Sequence, residues 1–230
     1  MDRKRRTARP SHPPRPDPRN RPSFRLFGRR HGRHRGWRLT PLLTCEGLAC
    51  QRGGRLLFQE LSFALTPGDA LWVRGPNGVG KSSLLRLVAG LLRAHSGTVS
   101  RNAAIALADE RSALDAELPL GQALAFWARI DGGDAGAAME NMALSPLADV
   151  PVGYLSTGQR KRAVLARTIA AGAPLWLLDE PGNGLDGASL ASLRAAIADH
   201  RANGGALLFA SHFDLALPGQ RTLDLAVLVE

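Results

Sequence analysis

The run Gly75-Pro76-Asn77-Gly78-Val79-Gly80-Lys81-Ser82-Ser83 has the chemistry of an anion cradle. Glycines at 75, 78 and 80 permit positive φ and close backbone approach, so that successive N–H groups can converge on phosphate oxygens. The spacing G-x-x-x-x-G-K-S adds an ammonium, Lys81, to meet β- and γ-phosphates, and a hydroxyl, Ser82, to coordinate magnesium. Only Lys4, Lys81 and Lys161 are lysines in a chain that otherwise uses arginine, which argues against an incidental surface lysine at this position. A second cluster, Asp179-Glu180, closes the apolar run Leu175-Trp176-Leu177-Leu178. A buried strand there delivers two carboxylates at its C-terminal end, where ligands gather in open α/β sheets. Asp179 would hold magnesium through a water, and Glu180 would orient and deprotonate an attacking water. Strands ending in two carboxylates are common, so the pair gains its meaning from the upstream loop.

Both clusters need strands to aim them. Short apolar runs predict strands at 70–74, 175–178, 206–210 and 225–229, and Leu84, Leu87, Val88, Leu91 and Leu92 give one helical face after Lys81. Runs of this kind alternating with helical patterns imply an α/β domain with a largely parallel sheet over 42–230. There is no internal repeat.

At 230 residues and 44% apolar content the chain can bury a core without staples. Cys45 and Cys50 are too few for a disulfide scaffold and lack the second pair a zinc site requires. No stretch reaches the roughly 18 to 20 apolar residues of a membrane-spanning helix. The net charge of +10 is uneven: residues 1–41 hold +12 and residues 42–230 hold −2, so any partner inferred from charge belongs to the tail. That tail, with prolines at 10, 13, 14, 16, 18 and 22, is too polar to offset the entropy of ordering and is read as disordered. Three readings of it stay open: a tether to anionic lipid or nucleic acid, a solvated extension, or a start codon placed too far upstream.

Between the two clusters lies Leu155-Ser156-Thr157-Gly158-Gln159-Arg160-Lys161-Arg162, followed by a helical run. With this segment present the chain resembles the ATP-binding cassette (ABC) ATPases, over nearly all of 42–230. The resemblance implies a P-loop nucleotide-binding domain with a mixed sheet, a small antiparallel β part and a short helical signature subdomain. It implies ATP and Mg2+ as ligands, and a head-to-tail homodimer in which Ser156, Gly158 and Gln159 of one protomer cap the ATP of the other. It assigns Gly184-Leu185-Asp186 to the loop communicating across the dimer, and His212, 32 residues after Glu180, to a γ-phosphate contact. The catalytic set implied is Glu180, His212 and Lys81.

Segments such as Ala125-Phe126-Trp127 and Pro174-Leu175-Trp176 resemble more closely one subfamily, the ATP-binding subunits of cytochrome c maturation systems. The subfamily resemblance implies an integral-membrane transporter subunit as partner, haem-handling proteins as indirect partners, and a peripheral place on the cytoplasmic face of a bacterial inner membrane. An ABC ATPase serving another transported substrate is the alternative. Nucleic acid is not an expected partner, because only 73 residues separate Lys81 from Leu155, too few for the long coiled coil of repair types. A degenerate regulatory protein is the non-enzymatic reading, opposed by Lys81, Asp179, Glu180 and His212.

Four positions depart from the family pattern, one of them Thr157, which stands where glycine is commonest in the signature. Where a glutamine usually touches magnesium the chain reads Asp109-Glu110-Arg111, and Glu110 is a substitute hard oxygen ligand. Arg52 stands near where an aromatic residue normally stacks on adenine; a guanidinium can also stack on a base. Gly182 follows Pro181 where threonine is frequent.

Overall fold

The computed structural model describes residues 40–109 and 113–228. Nearly all of the basic tail, and Glu110, lie outside the described residues.

Two sheets divide the work. Strands β1 (Leu43–Arg52), β2 (Arg55–Leu65) and β4 (Ser96–Arg101) form an antiparallel sheet in the order β2-β1-β4. Strands β3 (Ala70–Arg74), β5 (Ile105–Ala108), β6 (Leu175–Asp179), β7 (Ala206–Ala210) and β8 (Arg221–Asp224) form a parallel sheet in the order β5-β6-β7-β3-β8. Both faces of the parallel sheet are covered, which is why its inner strands read as unbroken apolar runs. Leu175, Leu177, Leu208, Leu71 and Val73 pack toward α1 (Lys81–Val88) and the antiparallel sheet. On the opposite face, Trp176, Leu178, Leu207 and Phe209 join α2 (Leu120–Asp131), α3 (Ala135–Asn141), α4 (Thr157–Ala170) and α5 (Gly187–Ala202) in a second cluster. The two-residue period places Asp179 on the same side as Leu175 and Leu177, the side of α1.

Two expectations are corrected. The helix after Lys81 does not extend to Leu92: Gly90 at φ 80 ends it, with Leu91 N–H donating to Arg86 O (2.9 Å) and Gly90 N–H to Leu87 O (3.0 Å). This is the paired bonding of a Schellman end, which leaves Leu91 68% exposed. The strand expected at 225–229 lies four residues earlier, as β8. Its pairing with Leu71–Arg74 is fixed by the Arg74–Asp224 ion pair (3.0 Å). Asp224 Oδ1 then accepts the Ala226 N–H (3.0 Å) and turns the chain into a 3₁₀ segment, Leu225–Leu228.

Candidate nucleotide-hydrolysis site

The strand order decides the site. β6, β7 and β3 are neighbours and parallel, so Asp179-Glu180, Ser211-His212 and the loop 75–83 emerge from adjacent ends on one edge. Leu57, Asn77, Gly78, Gly80, Lys81, Ser82, Ser83, Asp179, Glu180 and His212 line one cleft there, of about 260 Å³. Gly75, Pro76 and Val79 complete the loop without lining that cleft.

Conformation makes the loop a cradle. Gly75, Gly78 and Gly80 have φ of 140, 77 and 115. A Cβ on Gly80 would press to 3.2 Å against both Leu57 and the Phe58 ring, so glycine is required there for space as well as for φ. No side chain caps α1 at Gly80, which leaves the first-turn N–H groups to face the cleft. Lys81 is 7% exposed, and its Nζ donates to Gly75 O (2.9 Å) and Pro76 O (3.3 Å). The ammonium is thus held over the loop mouth by carbonyls of the loop itself.

Glu180 carries the local strain. Its φ is 47, in the left-handed region that side chains rarely occupy, and its N–H donates to Ala210 O (2.8 Å) at the end of β7. Its carboxylate is clasped by the following loop: His212 N–H donates to Oε2 (3.2 Å), and His212 Nε2 lies 3.3 Å from Oε1. That second contact makes no hydrogen bond. Oε1 is buried and has no hydrogen-bond partner among the described residues.

Magnesium fits this donor set. A serine hydroxyl at 82 and a buried carboxylate at 179, 6% exposed, face one cleft, and hard oxygens of this kind suit Mg2+. No group of three or more His, Cys, Asp or Glu able to hold a metal by itself occurs among the described residues.

The remaining candidates sit elsewhere. Ser156 is the N-cap of α4 and forms a reciprocal box with Gln159: Ser156 N–H donates to Oε1 (2.8 Å) and Gln159 N–H to Ser156 Oγ (3.3 Å). The Gly158 Cβ position is 3.4 Å from Gly184 O, so the signature abuts the loop 182–186 rather than this chain's own cleft. Asp186 caps α5 through the Ser189 N–H (2.8 Å). That amide first, then the Ser189 hydroxyl, holds its carboxyl below the ordinary value. Arg52 ends β1 beside a two-glycine turn, exposed and opposite Arg55, and Leu57 of β2 lines the cleft. Sequence reasoning misses Leu57. It also misses Phe213, whose ring fills the space over Gly182 where a Cβ would lie 2.3 Å from Cζ. The unusual glycine at 182 is the only signal.

An amide cradle with its lysine, a strand-end carboxylate pair and a histidine from the strand between them define a P-loop nucleotide hydrolase. A family model described as ABC transporter matches residues 58–183, and the chain belongs to that family and is an ATPase. It is 63% identical over 193 residues to a cytochrome c biogenesis ATP-binding export protein, CcmA, of Sphingopyxis alaskensis, covering 83% of this chain and 100% of that one. A protein of the same description from Novosphingobium aromaticivorans is 56% identical over 181 residues, 79% of this chain and 94% of its own. Among solved structures, an ATP-binding cassette of an ABC transporter in its ADP conformation superposes with a TM-score of 0.67. At 20% identity over 80% of this chain and 87% of that one, it shares the fold.

Proposed function

We propose that this chain is the ATP-hydrolysing subunit of an ABC exporter serving cytochrome c biogenesis, acting as a homodimer bound to an integral-membrane subunit at the cytoplasmic face of the inner membrane. The observation that carries the reading is the convergence of Lys81, Asp179, Glu180 and His212 on one cleft. The relatives named for cytochrome c biogenesis, one of them matched along its whole length, support the process. Haem, exported or released from its carrier, is the cargo this reading implies. No helix among the described residues is long and apolar enough to cross a membrane, in keeping with a separate membrane subunit.

The geometry then gives a route to hydrolysis. The loop amides and the α1 N-terminus bind the β- and γ-phosphates, and Lys81 exchanges its bonds to the loop carbonyls for phosphate oxygens. Ser82 and Asp179 would hold Mg2+, which neutralises phosphate charge when bound. Glu180, whose side chain lines the cleft, orients the attacking water and accepts its proton. His212, already against Glu180, donates toward the γ-phosphate. The signature Ser156-Thr157-Gly158-Gln159, turned away from its own cleft, caps the ATP of a second copy through the exposed N–H groups of α4. The test is release of phosphate from ATP by the purified chain: hydrolysis that disappears in Glu180→Gln while labelled ATP still binds supports the reading, and hydrolysis at the parent rate in that variant refutes it.

A further inference from the structure

Of the three lysines in the chain, Lys81 is explained by phosphate, while Lys161 stands in α4, behind the signature, where a hydrolysis site has no evident use for it. Its Nζ donates to Asp179 O (3.2 Å) in a half-buried setting. That carbonyl belongs to the Asp179–Glu180 peptide, and the N–H of the same peptide donates to Ala210 O (2.8 Å). The peptide feeding Glu180 is therefore clamped at both polar atoms, and Glu180 beyond it holds φ 47, a conformation that persists only where its surroundings impose it. A one-sided clamp would let the peptide rotate and swing the carboxylate away from His212.

We propose that Lys161 is a positioning residue: by holding the Asp179 carbonyl from the signature helix, it fixes the strained backbone at Glu180 and so the direction of the catalytic carboxylate. The inference rests on the hydrolysis reading above. Lys161 lies five residues after the cap Ser156, so it also ties the helix that faces a second copy to this chain's own catalytic carboxylate.

Lys161→Met removes the donor and keeps the stem. The expected result in full-length protein is a fall in kcat of roughly tenfold to a hundredfold, the range of one charge-assisted hydrogen bond. KM for ATP should stay within about twofold of the parent, and Lys161→Arg should restore most of kcat. An isolated packing defect would not divide kcat from KM in this way. Should Lys161→Met fail to fold by circular dichroism, Lys161→Leu, which also lacks a donor, is measured against the same thresholds. A kcat within about twofold of the parent, or a loss that appears in KM instead, overturns the proposal. A parent chain that binds but never hydrolyses ATP would overturn the hydrolysis reading itself, which separates the two failures.

Discussion

Gly182 and Phe213 form a complementary pair that can be tested as one. Gly182 is buried and not at positive φ, so its backbone accepts a side chain without strain. The obstacle is the Phe213 ring, with Cζ at 2.3 Å and Cε2 at 3.0 Å from the Cβ position, and Leu190 Cδ1 at 3.3 Å. Gly182→Thr must therefore expel the ring. Phe213 is 39% exposed, so about three-fifths of its contact area is at stake. Full burial of a phenylalanine is worth about 1.5–3 kcal/mol, which puts the cost of Gly182→Thr at about 1–2 kcal/mol. Phe213→Ala should cost a similar amount for the same lost contact. In the Phe213→Ala background the space is empty, and Gly182→Thr should then cost under about 0.5 kcal/mol, a coupling of roughly 1 kcal/mol in the double-mutant cycle. Because Ser211 Oγ accepts the Phe213 N–H (3.2 Å) and donates to its carbonyl (2.8 Å), displacing Phe213 should also disturb the His212 turn and lower kcat in the single variant. Urea unfolding midpoints of the four proteins read the coupling. Costs that simply add, within about 0.5 kcal/mol, would refute the complementarity.

Other expectations concern separate parts of the molecule. Lys81→Ala should weaken equilibrium binding of labelled ATP by at least about tenfold, since it removes the buried ammonium of the cleft; unchanged affinity would contradict its role. Gly80→Ala should impair nucleotide binding more than stability, because the left-handed φ and the 3.2 Å approach to Leu57 and Phe58 force the loop to shift; a titration and a melting curve separate the two. His200 lies stacked on Trp176 at 3.8 Å, and burial lowers its pKa below the usual 6.5, against the opposing pull of the Ala206 and Pro174 carbonyls. Below 6.5 the unfolded chain then binds more protons than the native one, so stability should fall as pH drops from about 6.5 toward the native value. His200→Gln should flatten that part of the melting-temperature profile; an unchanged slope would assign it to other groups.

The chemistry is largely legible in the sequence, and the approaches between distant segments are not. Strands β3 and β7 occur at their expected bounds, and β6 is one residue longer, ending on Asp179, because unbroken apolar runs bounded by loop residues leave little freedom of assignment. The phosphate loop announces its own flanking elements. Periodicity overextends helix α1 because Leu91 and Leu92 continue its apolar face, while the stop is a backbone event at Gly90. The strand expected at 225–229 is misplaced because Leu225 is buried whether in a strand or a 3₁₀ turn, and the Asp224 turn decides between them. Leu57, Lys161 and the Gly182–Phe213 contact are invisible for one reason: each depends on elements far apart in the chain meeting in space, which local pattern does not encode.

Closure of two copies over ATP is the claim on which the division of labour between cleft and signature depends. Sedimentation velocity of Glu180→Gln with and without Mg-ATP tests it most directly. The expected result is a monomer that becomes a stable dimer when ATP is added and stays one because hydrolysis is blocked, with Ser156→Arg in the same background abolishing the shift. A Glu180→Gln chain that remains monomeric at saturating Mg-ATP, or a dimer indifferent to Ser156→Arg, would contradict it.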